Sequence, residues 1–203
     1  MFTGIVTGTG RVARHVSLGA GGGVRITVDV GDWPIDDLAI GDSVAHSGCC
    51  LTIVDKGERW LASDVSAHTL SIVSGLEVGA RVNLEKALTL ADRLGGHLLT
   101  GHIDTVGTVV QWMPIAESWR LEVELPAAFG RYLARKGSVA VHGVSLTVNE
   151  VTDGERACRF QANVIPHTRE VTNFCDLRVG AKVNIEVDLL ARYVERILAV
   201  QSS

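Results

Sequence analysis

The chain says nearly the same thing twice. Gly41-Asp-Ser-Val-Ala-His-Ser-Gly-Cys-Cys-Leu-Thr-Ile-Val54 runs parallel to Lys136-Gly-Ser-Val-Ala-Val-His-Gly-Val-Ser-Leu-Thr-Val-Asn149, pairing Ser43 with Ser138, Gly48 with Gly143 and Leu51-Thr52 with Leu146-Thr147. Two more blocks follow in the same order: His68-Thr69 against His167-Thr168, then Val78-Gly-Ala-Arg-Val-Asn-Leu-Glu85 against Val179-Gly-Ala-Lys-Val-Asn-Ile-Glu186. A weaker block opens each half, Phe2-Thr3-Gly4-Ile5-Val6 against Leu99-Thr100-Gly101-His102-Ile103. The offset stays near one hundred residues, several times the repeat of a stacked solenoid, so the pattern indicates two duplicated domains. A site in such a chain is expected to be built from two copies.

Composition narrows the function. With 203 residues, each half is large enough for its own core. The 19 Lys and Arg are scattered and form no basic stripe with interleaved aromatics, which argues against nucleic acid as partner. No run approaches 18 apolar residues, and the first residues lack the basic start and apolar segment of a signal peptide, so no membrane association is expected. Cys49, Cys50, Cys158 and Cys175 show no Cys-x-x-Cys spacing. Free thiols in a reducing cytoplasm are expected, with neither a disulfide framework nor a zinc site.

Apolar residues alternate with polar ones in Val24-Arg-Ile-Thr-Val-Asp-Val30, Leu121-Glu-Val-Glu-Leu125 and Val183-Asn-Ile-Glu-Val187, the pattern of half-buried strands. Glycines punctuate them at intervals that suit an all-β barrel or sandwich. A short helix is expected before the second Ser-Val-Ala strand, with Pro126 in its first turn, Tyr132-Leu133 on its core face and Gly137 at its end. The first half has a reduced equivalent at 33–40. The domains are read as residues 1–95, 96–188 and a tail at 189–203. In the tail, Leu189, Leu190, Tyr193, Val194, Ile197 and Leu198 follow helical spacing behind a possible N-cap, Asp188. This helix has no copy in the first half, so its stripe either packs on a barrel or joins subunits.

Positions where the copies differ in a chemically pointed way identify candidate site residues. Cys50 answers Ser145 directly before Leu-Thr, giving each copy a nucleophile or hydrogen-bonding group, and Ile5 is answered by His102, a titratable base in one copy only. That asymmetry suits two similar ligands of which one loses a proton and the other is attacked. Cys49 reads as a small buried hydrophobe. His97 and His102 stand five apart, which fits neither a helical nor a strand metal pair. His68 and His167 either brace a turn or touch a ligand, and Lys136 is either a solvated helix end or an anchor for an anionic or hydroxylated ligand. Gly21 to Gly23 and Gly95-Gly96 lack a phosphate-cradling pattern and read as turns.

These blocks resemble the riboflavin synthase family of the alpha type along essentially the whole chain. The resemblance is carried in order by Met1-Phe-Thr-Gly-Ile-Val6, Gly48-Cys-Cys-Leu-Thr52, Gly95-Gly-His-Leu-Leu-Thr-Gly-His-Ile103 and Gly143-Val-Ser-Leu-Thr147. It implies tandem six-stranded Greek-key β-barrels with a C-terminal α-helix, assembled as a homotrimer with the active site between the N-terminal barrel of one subunit and the C-terminal barrel of another. The implied reaction needs no cofactor and no metal. Two molecules of 6,7-dimethyl-8-ribityllumazine exchange a four-carbon unit, giving riboflavin and 5-amino-6-ribitylaminouracil. Carried over residue by residue, the resemblance makes His102, Cys50, Ser145 and Thr147 catalytic candidates. Its ligand contacts would be Gly4, Ile5 and Val6 in the first opening block, then Ser43, Leu51, Thr52, Asp64, Val65, Ser66, Ala67, His68 and Thr69, and Gly101 and Ile103 in the second opening block. They would continue in the second half with Lys136, Leu146, Ile165, Pro166, His167, Thr168, Arg169 and Glu170.

Association with lumazine synthase is left open by the resemblance. The chain departs from the family at His142, where many relatives carry Asp, at Ser47, where some carry Asn, and at Cys175, where Gly is common. His142 is thereby a candidate for altering the pH dependence. Two rivals are a lumazine- or flavin-binding antenna protein of the same fold, whose members lose C-terminal barrel residues that this chain keeps, and an FAD-binding reductase barrel, whose Arg-x-Tyr-Ser segment is absent.

Overall fold

The computed structural model describes residues 1–201. In the first half, β1 (Gly8–Ser17), β2 (Val24–Asp29), β3 (Ser43–His46), β4 (Cys49–Lys56), β5 (Trp60–Val65) and β6 (Arg81–Lys86) close a barrel in the order β1-β2-β5-β4-β3-β6. The second half repeats this with β7 (Thr105–Ile115), β8 (Ser118–Pro126), β9 (Ser138–Val141), β10 (Val144–Asp153), β11 (Ala157–Val164) and β12 (Lys182–Val187). All pairs are antiparallel, and β2 lies beside the far end of the β3-β4-β5 meander in Greek-key fashion. Register shifts recur at equivalent places, Val12/Arg14 with Val109/Gln111 and Ile53/Asp55 with Val148/Glu150, where the extra residue bends the sheet toward closure.

Period two places one face of each strand inside. Ile26, Val28, Ile53, Leu61, Val82 and Leu84 fill the first barrel; Leu121, Val123, Leu125, Phe160, Phe174 and Ile185 fill the second. Each fully buried side chain of this size contributes about 1.5–3 kcal/mol. On β6 and β12 the polar alternates are buried as well. Asn83, Glu85, Asn184 and Glu186 face outward from their own barrels but are covered where the two halves meet.

The two halves meet about a local twofold. Asn83 Nδ2 donates to the His142 carbonyl at 2.9 Å, and Asn184 Nδ2 donates to the Ser47 carbonyl at 3.0 Å. Ser47 and His142 hold φ of 47° and 48°, and Gly48 and Gly143 follow at 85° and 77°, as hairpin turns with two left-handed residues require. The hairpin tips touch so closely that a Cβ on Gly48 would lie 2.7 Å from the Gly143 nitrogen. Phe2, Ala45, Leu99 and Ala140 form a small apolar cluster between the barrels.

Three local expectations are adjusted by the structure. The segment after Pro126 is a 3-10 helix, Ala127–Tyr132, with Pro126 as its N-cap residue. Two six-residue helices, α1 (Ala67–Ile72) and α2 (Pro166–Val171), occupy the segments that carry His68 and His167. Ser66 Oγ caps α1 by accepting from Thr69 N–H at 3.0 Å, so capping there does not fall to His68. Cys175 lies in a second 3-10 turn, Asn173–Asp176, without positive φ, and accepts a hydrogen bond from Arg81, which accounts for tolerance of a side chain at that position. The tail forms α3 (Leu189–Gln201), with Asp188 accepting from Leu190 N–H, while Ser202 and Ser203 lie outside the described residues. It leans on the second barrel through Arg131–Glu195 and Arg192–Asp104 ion pairs, and leaves Leu190, Tyr193, Val194 and Ile197 exposed.

Candidate functional site

Each opening segment bridges the two barrels. Thr3 N–H and Oγ1–H donate to Glu85 Oε1 at 2.6 and 2.7 Å, and Gly4 N–H donates to Oε2 at 3.1 Å. Thr100 and Gly101 repeat all three bonds on Glu186 at 2.6, 2.7 and 3.0 Å. So anchored, the segments cross over. The Gly4 carbonyl accepts from Ser145 N–H of the second barrel, and the Gly101 carbonyl accepts from Cys50 N–H of the first. Val6 packs on the second core and Ile103 on the first. A Cβ on Gly101 would lie 2.5 Å from Cys50 Cβ, and one on Gly4 would lie 2.6 Å from Ser145 Cβ, so glycine is needed at both crossings.

Two quasi-equivalent shelves result. The first gathers Cys50 and Thr52 on one face of β4 with Gly101, exposed His102 and Ile103; the second gathers Ser145 and Thr147 on β10 with Gly4, exposed Ile5 and Val6. Cys49 points the other way into the core, where burial pushes its thiol up to about 12. His102 is fixed by its backbone, its N–H donating to Thr100 Oγ1 and its carbonyl accepting from Arg192. The pairing of Ile53 with Ser63 brings β5, and so the Asp64 to Thr69 corner, alongside Thr52, while α2 follows β11 in the second barrel and exposes Ile165, Pro166, His167 and Glu170.

Not every candidate presents a free side chain. Leu51, Val65, Ile103 and Leu146 belong to the cores, which leaves their backbones for a ligand. Asp64 makes a two-pronged ion pair with Arg25 at 2.7 and 2.9 Å, which holds its carboxyl below the usual range. The Arg169 guanidinium lies over Trp119 at 4.3 Å, with Thr168 half-buried beside it. Lys136 is exposed in a turn at φ 68°. Ser43 pairs with Thr52 in register, but it also lines, with Ile5, Thr7 and Trp33, a cavity of about 820 Å³ on the flank of the first barrel. Among the described residues no cluster of three or more His, Cys, Asp or Glu gathers to hold a metal.

Glu85, Glu186 and Arg192 are not among the candidate site residues of the sequence, and His97 is weighed there only as a metal ligand. The signal for the two glutamates lay in the third repeated block, which ends on each of them. Burial raises both carboxyl pKa values, and the bonds from Thr3 with Gly4, and from Thr100 with Gly101, oppose that rise. Glu186→Gln would turn an NH₂ group toward a backbone N–H that needs an acceptor. A loss of about 1–3 kcal/mol is expected, read as a lower midpoint in thermal unfolding. An unchanged midpoint would show that the clamp adds nothing.

The lumazine binding domain family matches residues 3–87 and 100–188. The chain is 42% identical over 202 residues to the riboflavin synthase of Photobacterium phosphoreum, covering 98% of this chain and 90% of that one. It is 42% identical to the Mycobacterium tuberculosis enzyme of that name, covering 98% of both, and 36% identical over 211 residues to that of Escherichia coli, covering 100% and 96%. Among solved structures, LumP complexed with riboflavin superposes with a TM-score of 0.81 at 24% identity, over 92% of this chain and 99% of that one, which speaks for the fold. Full-length identity and a twofold domain match together place this chain in the riboflavin synthase family.

Proposed function

We infer that the protein is a riboflavin synthase, converting two molecules of 6,7-dimethyl-8-ribityllumazine into riboflavin and 5-amino-6-ribitylaminouracil by transfer of a four-carbon unit. The observation that carries this reading is the paired shelf. Each barrel offers a nucleophilic atom with a threonine on the same face, Cys50 with Thr52 and Ser145 with Thr147, and only one crossing segment carries a base, His102. One lumazine must lose a proton from its 7-methyl group, while the other must accept a nucleophile at the ring carbon bearing that methyl. Holding two flat rings in contact supplies proximity. The remaining work is proton transfer and addition, which side chains supply without a cofactor.

On this reading residues 1–95 and 96–188 each bind one lumazine, and 189–203 joins subunits into a homotrimer whose sites lie between barrels of neighbouring chains. The exposed stripe of α3 supports that assignment. A cytoplasmic enzyme suits the four free cysteines, and association with lumazine synthase is compatible with it. Sedimentation should give three chains per particle; a monomer at micromolar concentration would overturn the assembly.

Anaerobic incubation with the lumazine alone tests the reaction. One riboflavin per two lumazines consumed is expected, with turnover falling at least about a hundredfold in His102→Gln. Tight binding without turnover would instead mark an antenna-like protein.

A further inference from the structure

His97 stands just ahead of the second crossing segment and is 8% exposed. Its backbone N–H donates to the Thr3 carbonyl at 3.1 Å, tying it to the first segment. Its Nδ1 lies 2.7 Å from Ser145 Oγ. The ring's other nitrogen, Nε2, is buried and has no hydrogen-bond partner among the described residues. Buried polar atoms are ordinarily hydrogen-bonded, so an unpartnered one calls for an explanation. The approach is also shaped: a Cβ on Gly96 would lie 2.9 Å from Ser145 Oγ and 2.2 Å from the Thr3 carbonyl oxygen, so only glycine lets the chain pass there.

An alcohol is a poor nucleophile until a neighbouring base takes its proton, and a neutral imidazole at hydrogen-bond distance is the usual base. Burial lowers the His97 pKa and so favours the neutral ring, while the charge of Asp188 opposes the shift. In the tautomer with its proton on Nε2 the neutral ring offers Nδ1 as acceptor to the Ser145 hydroxyl, and Asp188 is placed to favour the imidazolium once it forms.

We propose that His97 and Ser145 work as one unit, with His97 Nδ1 taking the Ser145 hydroxyl proton as Oγ adds to the acceptor lumazine. The proposal rests on the riboflavin synthase reading above. In the step, a bond forms between Oγ and the ring carbon that bears the 7-methyl group. The π pair displaced from that carbon runs through the conjugated ring onto a pyrimidine nitrogen, and the hydroxyl proton moves to His97. Expulsion of Oγ later returns the proton, so nothing is oxidised or reduced. His97 acts through Ser145 and is a positioning residue; His102, on the other crossing segment, is left for the methyl proton of the donor lumazine.

His97→Asn tests this, because the asparagine side chain reaches the Nδ1 position and keeps a hydrogen bond to Ser145 but takes no proton. Its kcat should fall about a hundredfold with KM changed by less than about threefold, and the double variant with Ser145→Ala should be no slower than Ser145→Ala alone. A kcat within threefold of the unaltered protein, or losses that multiply, would overturn the unit.

A second readout does not depend on turnover. In Ser145→Cys the thiol at that position should be alkylated by iodoacetamide at neutral pH about tenfold faster than in Ser145→Cys with His97→Asn, mapped by peptide mass. Equal rates would sink the proposal even if riboflavin forms. Where the unaltered protein makes no riboflavin, the function reading fails and the alkylation ratio still decides whether His97 is basic toward position 145. If the asparagine variant does not fold, thiolate absorbance of Ser145→Cys decides in its place: an un-ionised thiol at neutral pH rejects the unit.

Discussion

Gly143→Val is expected to lower the unfolding midpoint by roughly 5–20 °C, because it strikes the contact on which the two barrels are centred. Gly143 holds φ 77°, a region costing a branched L-residue about 1–2 kcal/mol. Its Cβ would also lie 2.7 Å from the Gly48 nitrogen and 2.9 Å from the Gly48 Cα, which is backbone on both sides and has little room to move. Forcing that overlap adds about 1–3 kcal/mol. Gly180→Val is the control. Gly180 has φ 88° with nothing within 4 Å of a built Cβ, so it isolates the backbone part alone. Calorimetry should show the larger drop at position 143; equal drops would mean the hairpin tips are free to separate.

Acid should unfold the protein through its buried histidines. His46 and His142 are enclosed, and burial lowers each from 6.5 to about 4. The folded state keeps them neutral while the unfolded state takes up protons, so their contribution is full above about pH 6.5. It is lost as pH falls toward 4, at about 3 kcal/mol for each histidine. Glu85 and Glu186 act in the opposite sense. Their folded pKa values are raised, so they favour the folded state as pH falls through that window and offset part of the loss. His142→Asn separates the terms. An Asn at φ 48° is tolerated, and its side-chain oxygen replaces Nδ1 as acceptor for Asn184 N–H, bonded at 3.3 Å. Denaturant titrations should show this variant losing about 3 kcal/mol less than the parent between pH 6.5 and 4. Parallel curves would show that His142 charges inside the fold without cost. Because burial lowers its pKa to about 4, His142 at the barrel contact is expected to affect acid stability and not the pH dependence of turnover near neutrality.

Much of the site was legible because duplication makes differences stand out. Cys50 against Ser145 and Ile5 against His102 are visible without coordinates, and the structure hydrogen-bonds the Cys50 and Ser145 backbones to the crossing segment of the other half. Other parts were hidden for identifiable reasons. α1 and α2 are six residues long, too short for helical periodicity to show. Asn83, Glu85, Asn184 and Glu186 occupy polar positions of alternating strands, which ordinarily face water. Only the packing of the two halves against each other covers those faces. His97 and Ser145 are 48 residues apart and come within 2.7 Å because the first segment, which hydrogen-bonds both, runs between them.

By itself, the sequence determined that there are two domains of one kind, that they are built of strands, and which side chains could do chemistry. Those properties are local: period-two burial, turn glycines, and identities compared at a fixed offset. The tertiary structure alone decided that the opening segments are exchanged between barrels, that two glutamates anchor them, and that His97 lies against Ser145. Each of these is a contact between residues far apart in the chain, set by how two closed barrels pack about a twofold, and no local pattern encodes that packing.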